Sequence, residues 1–145
     1  MRPHREVSVD EAMVPFKGRS SLKQYMPQKP VKRGFKVWCR ADAHNVYISQ
    51  IQVYAGKASD GTVEKNLGKR IVEDLTVPLT NKGYFIFFDN FFSSVSLAES
   101  LLSKNLFCIG TAKTDRINWP STLANIKEMT KKWNEGIIKR LNQVV

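Results

Sequence analysis

The residues best suited to chemistry are two aspartates far apart in the chain. Asp89 closes the apolar run Tyr84-Phe85-Ile86-Phe87-Phe88 and precedes Asn90-Phe91-Phe92-Ser93-Ser94. A carboxylate at the mouth of a strand-like aromatic run costs desolvation energy, so it calls for a partner, a metal or water access. Asp10 lies in Val7-Ser8-Val9-Asp10-Glu11, on the polar side of a short alternating segment. If the two segments are neighbouring strands, both acids reach one site, and two carboxylates offer hard oxygen ligands to a divalent cation. Glu11 follows Asp10 directly and, in a regular strand, points to the opposite face.

The charge balance suggests a partner. The chain carries 23 basic and 13 acidic residues over 145 positions, a formal +10. No acid lies between Glu11 and Asp42, whereas Lys17, Arg19, Lys23, Lys29, Lys32, Arg33, Lys36 and Arg40 supply eight positive charges. Such a block is either the phosphate-binding footprint of a DNA-binding protein or a solvated basic loop. Cys39 and Cys108 have no Cys or His at zinc-ligand spacing and read as buried free thiols. His4 and His44 stand alone in sequence, His44 at a hairpin tip. Asp42 and Asp60 read as turn residues and Asp74 as a helix-end acid. No apolar stretch is long enough to span a bilayer, and the N-terminus lacks the apolar core of a secretory signal. The expected address is cytosolic or nuclear.

Positioning the two acids requires an α/β domain. Residues 7–14 alternate as a first strand, and residues 16–30, with Gly18, Pro27 and Pro30, read as irregular. Alternation from Phe35 to Ala41 and a run from Val46 to Tyr54 flank the Asp42–Asn45 turn as a hairpin. Val63, Leu67, Ile71 and Leu75 mark one face of a helix that Gly68 weakens and Pro78 ends. The continuous run 84–88 reads as a central strand covered on both faces. Ser96 and Glu99 suggest a capping box ahead of Leu97, Leu101 and Leu102, and Leu106–Thr111 is a last short strand. Phe91 and Phe92 are either core or an exposed partner patch. Residues 121–145 give no clear period, although Trp119-Pro120-Ser121 could open a helix through Trp133. The order predicts a mixed sheet: an antiparallel three-strand meander, then parallel strands entered by helical crossovers. This is the order of the ribonuclease H-like fold, in which the strands of Asp10 and Asp89 lie side by side.

Several motifs then resemble one family in order. Val9-Asp10-Glu11-Ala12-Met13-Val14-Pro15-Phe16-Lys17-Gly18-Arg19, Tyr25-Met26-Pro27-Gln28-Lys29-Pro30, Gly34-Phe35-Lys36-Val37-Trp38 and Phe88-Asp89-Asn90-Phe91-Phe92-Ser93-Ser94 resemble the catalytic domain of piggyBac-type transposases. The likeness runs from about Arg5 to about Pro120, giving a partial ribonuclease H-like core over residues 1–120 and a tail over 121–145. The resemblance implies metal-dependent DNA cleavage and strand transfer by three aspartates. Asp10 matches the first, Asp89 the second, with Mg2+ or Mn2+ as cofactor. It also implies that the chain is truncated at both ends, lacking the third aspartate, the C-terminal zinc-binding region and the N-terminal regions that aid dimerisation. A homodimer is therefore expected only of a full-length relative. Asp115 and Glu128 have surroundings unlike the family's third motif. The resemblance further implies DNA as partner, with Lys17, Arg19, Lys23, Lys29, Lys32 and Arg33 as contacts, and a nuclear address. A non-catalytic DNA-binding or protein-interaction module is the alternative.

Overall fold

Backbone pairing rather than propensity decides the layout around Asp10. The protein is represented by a computed structural model that describes residues 2–56, 64–111, 113 and 117. Strand β1 (Glu6–Pro15) pairs antiparallel with β3 (Arg33–Asp42), which pairs antiparallel with β4 (Ile48–Val53). The expected meander and hairpin are therefore present. The segment from 16 to 30, expected to be irregular, contains a short strand β2 (Lys23–Tyr25) against the start of β3. Its ladder partners on β3 supply what three residues cannot specify alone. Within this ladder Gly34 is required by close approach, since a Cβ there would sit 2.0 Å from the carbonyl oxygen of Val14.

The second half alternates helix and strand. Helix α1 (Leu67–Thr76) runs into a 3-10 turn at Val77–Leu79 that accommodates Pro78, and an Asn81-Lys82-Gly83 turn leads to β5 (Phe85–Phe88). Asn81 takes the left-handed conformation (φ 62°) that its short polar side chain tolerates. Helix α2 (Val95–Ser103) and strand β6 (Phe107–Gly110) complete the unit, Met1–Lys113. The sheet order is β2-β3-β1-β5-β6, with β4 on the same edge of β3 as β2, and β5 is parallel to both β1 and β6. The expected mixed sheet with parallel helical crossovers is what the chain adopts.

The core lies on one side of that sheet. Val7, Val9, Trp38 and Ile86 from the strands pack with Ile71, Val72 and Leu75 of α1 and Leu97 and Leu101 of α2. Burying these side chains contributes about 1.5–3 kcal/mol each. The opposite face carries Phe85 and Phe87 on β5 beside Phe107 and Ile109 on β6. Phe85 and Phe87 are half-buried where Ile86 is fully buried, and Phe107 and Ile109 beside them are exposed. Among the described residues β5 is therefore packed under helices on one face and only partly covered on the other. The expectation of a strand covered on both faces is corrected on this point, because both helices fall on the Ile86 side. Helix α2 starts one turn-residue pair earlier than expected: Ser94, not Ser96, is the N-cap, its Oγ accepting from the Leu97 amide at 3.2 Å. The tail, residues 121–145, with its expected helix, lies outside the described residues, as do Val63 and Asp60.

Candidate functional site

Register brings the two aspartates together. Strands β1 and β5 pair in parallel through Glu6↔Phe85, Val7↔Ile86 and Ser8↔Phe87, and two further steps set Asp10 beside Asp89. Both are exposed, and both line a cleft of about 570 Å³ with Ser8, Phe87, Ile109 and Thr111. The strand geometry explains why. Val7 and Val9 point into the core, so Ser8 and Asp10 face the other way, while β5 ends at Phe88 and releases Asp89 where β1 continues. Each carboxylate is held by a backbone amide close in sequence: Asp10 Oδ1, on β1, accepts from the Glu11 amide at 2.7 Å, and Asp89 Oδ1 from the Phe91 amide of the following loop at 2.9 Å.

The loop after Asp89 is clamped from below. Phe92 is core, whereas Phe91 is 46% exposed and stacks on Trp38 with ring centroids 5.6 Å apart. The two rings that sequence left undecided thus divide between core and surface. Ser93 Oγ donates to the Asp89 carbonyl at 3.0 Å. Gly68, expected only to weaken α1, lets the helix approach this loop: a Cβ there would meet the Phe91 carbonyl oxygen and Phe92 Cα at 3.0 Å.

Positive charge reaches the acids from the loop between β2 and β3. Glu11 projects away from Asp10 and binds Lys29 Nζ at 3.0 Å and Lys36 Nζ at 2.7 Å. Partial burial pushes the Glu11 carboxyl up, but the bonds from Lys36 and Lys29 outweigh it and hold the group below the ordinary carboxylate range. The Lys29 ammonium is raised, first by its bond to Glu11 and further by the charges of Glu11, Asp10 and Asp89. Lys29 therefore sits in the field of both aspartates. Burial pushes the Cys39 thiol up, and the charge of Asp10, its cross-strand partner, adds to that shift.

The rest of the basic segment divides by location. Lys17, Arg19, Lys32 and Arg33 are exposed, and Lys23 Nζ donates to the Gly18 carbonyl at 3.1 Å. Lys36 lies 4.2 Å from the Trp38 ring centre, and Arg40 is buried, donating to Ser49 Oγ and to the Leu75 carbonyl at the end of α1. These last two charges serve the fold.

Comparison with known proteins gives this geometry a family. The family model described as Transposase IS4 matches residues 1–143. The chain belongs to that family and is of the piggyBac type. PiggyBac transposable element-derived protein 3 of Homo sapiens is 36% identical over 115 residues, which is 77% of this chain and 19% of the relative. PiggyBac transposable element-derived protein 2 of Homo sapiens is 31% identical over 114 residues, 75% of this chain and 19% of the relative. A cryo-EM structure of the piggyBac transposase synaptic complex with hairpin DNA superposes with a TM-score of 0.73 at 30% identity, covering 86% of this chain and 26% of that one. This chain thus spans about a fifth of the curated relatives it matches.

Within this piggyBac-type domain the described residues leave the acids as a pair. Two aspartates suit a hard divalent cation in kind, yet no group of three His, Cys, Asp or Glu side chains placed to hold an ion occurs among the described residues. Asp115 and Glu128 lie outside them. No helix among the described residues is long and apolar enough to cross a membrane.

Two local readings are corrected. The two histidines, solitary in sequence, contact each other with ring centroids 4.8 Å apart. His44 Nε2 lies 3.1 Å from Glu6 Oε2, and His4 Nδ1 lies 2.8 Å from Asp42 Oδ2. Asp42 is more than a turn residue: it is buried and accepts from the His4, His44 and Asn45 amides. Burial pushes its carboxyl up, but the His4 and His44 amides, with the His4 ring, hold it far below the ordinary range. Asp74 lies in the last turn of α1, as expected, and there pairs with Arg70 at 2.8 Å. The Glu11–Lys29–Lys36 cluster left a faint sequence signal, an acid on the core-facing parity of β1.

Proposed function

We propose that this domain grips DNA with the basic segment from Lys17 to Arg33 and carries, in Asp10 and Asp89, two acids of a metal-dependent DNA cleavage and strand-transfer site. The observation that carries the reading is their juxtaposition: two exposed carboxylates, one on β1 and one just past the end of its parallel neighbour β5, lining one cleft. Mg2+ or Mn2+, held by Asp10 and Asp89, would supply the Lewis acidity for phosphoryl transfer. The chain's own part is to fix both carboxylates through the Glu11 and Phe91 amides and to keep Lys29 within their field. Two carboxylates hold such a cation weakly, so the proposed activity of the isolated domain is binding with little or no turnover. A DNA partner is supported by the exposed cations and by the nature of the solved relative, a complex with hairpin DNA; a nuclear address accords with it.

The test separates the two parts of the reading. Duplex affinity is measured across a salt series for the parent chain, for the Lys29→Ala/Lys32→Ala/Arg33→Ala variant and for Asp10→Asn. Lys32 and Arg33 are exposed and Lys29 is shared with Glu11, so the slope of log affinity against log salt should fall by roughly 2 to 3. Asp10→Asn should leave the metal-free affinity unreduced while removing any response to Mn2+. An unchanged slope in the triple variant rejects the DNA footprint. A Mn2+ response that survives Asp10→Asn rejects the metal site.

A further inference from the structure

Tyr25 is the largest exposed aromatic of the basic segment, 59% accessible on the short outer strand β2. Its ladder partner is Arg33, whose guanidinium lies 4.7 Å from the ring centre. Neither residue belongs to the main core cluster, which lies on the other side of the sheet. A ring this exposed, with a cation across it, presents an open π-face inside a field of positive charge.

Register fixes where that face looks. Tyr25 pairs with Arg33 and Lys23 with Phe35, and along β3 the same parity continues through Val37 to Cys39, the partner of Asp10. Tyr25, Arg33 and Lys23 therefore stand on the same side of the sheet as Asp10. Arg33 and Cys39 are six steps apart along β3, which at strand rise is about 20 Å. A nucleic-acid strand covers that span in about six nucleotides. The intervening residues on this face of β1 and β3 are Ala12, Val14, Phe35 and Val37, so no carboxylate repels a phosphate backbone on the way. Glu11, the nearest other acid, faces the opposite side and is taken up by Lys29 and Lys36.

Resting on the DNA-binding reading above, we propose that Tyr25 and Arg33 form a base-stacking subsite that holds an unpaired nucleotide of the strand leading to Asp10 and Asp89. The aromatic face stacks the base, and Arg33 and Lys23 hold the flanking phosphates. A paired base hides its faces in the helix stack, so the site favours single-stranded or splayed DNA over intact duplex.

The experiment compares a blunt DNA duplex with the same duplex carrying a single-stranded tail of about six nucleotides, each titrated with the full chain. Tyr25→Ala should bind the tailed duplex about tenfold more weakly and the blunt duplex unchanged. Tyr25→Trp, which keeps a stacking surface, should restore the tailed affinity. Equal losses on both DNAs, or no loss on either, overturn the stacking subsite while leaving the basic footprint standing. A parent chain that binds neither DNA overturns both.

Discussion

Exchanging Asp10 for Asn should stabilise the metal-free protein and abolish its response to a divalent cation. Adjacent parallel strands lie about 4.8 Å apart, so a separation of roughly 5 Å is the scale expected between Asp10 on β1 and Asp89 just past the end of β5. Coulomb's law then gives a repulsion of about 0.8 kcal/mol at the dielectric of water and about 3 kcal/mol at an effective dielectric of 20. Both groups are exposed, which favours the lower figure, and the positive charge of Lys29 offsets part of it. Asparagine keeps an oxygen for the Glu11 amide, so the substitution removes charge and little else. A net gain of about 0.5 kcal/mol corresponds to a melting temperature about 2 °C higher for a chain of this size. In the parent, a cation bound with a dissociation constant of about 1 mM adds about 1.4 kcal/mol at ~10 mM, or about 4–5 °C. The order of melting temperatures should therefore invert between chelator and Mg2+. The assay is differential scanning calorimetry of both proteins in each condition. Equal responses to Mg2+, or a lower melting temperature for Asp10→Asn in chelator, would refute the shared-site geometry.

Other elements make separate predictions. Ser94→Ala removes the N-cap of α2 and should cost about 1 kcal/mol in chemical denaturation, with Ser94→Gly recovering most of it. Gly34→Ala would force a Cβ to within 2.0 Å of the Val14 carbonyl, and should destabilise by about 3 kcal/mol or more as β1 and β3 separate. The Asp42 carboxyl is depressed in the folded state, so its contribution is present above the unfolded carboxylate range and is lost as pH falls through the folded value. Asp42→Asn should therefore melt well below the parent at pH 7, and the gap should narrow below about pH 4. A gap that stays constant down to pH 2 would show that the carboxylate's charge contributes nothing.

The sequence carries the alternation of β1, and with it the separation of Asp10 from Glu11 onto opposite faces. Asp89 was equally legible, because an acid after five apolar residues stands out whatever surrounds it. Element order then implied a parallel β1–β5 pair, since a helical crossover between strands of one sheet leaves few arrangements. Partner choice was less accessible. Strand β2 is too short to announce itself and exists through its ladder with β3. Ser94 and Ser96 are equivalent as residue types, and only the path of the Asp89 loop selects Ser94 as the cap.

What the chain determined by itself was therefore local: period, polarity and the residues able to do chemistry. Tertiary structure decided the long-range matters, namely that both helices share the Ile86 face, that Glu11 takes Lys29 and Lys36, and that His4 and His44 converge with Asp42. The physical reason is that alternation is written in neighbouring residues, whereas ion pairs and packing depend on strand register, which brings together side chains dozens of positions apart.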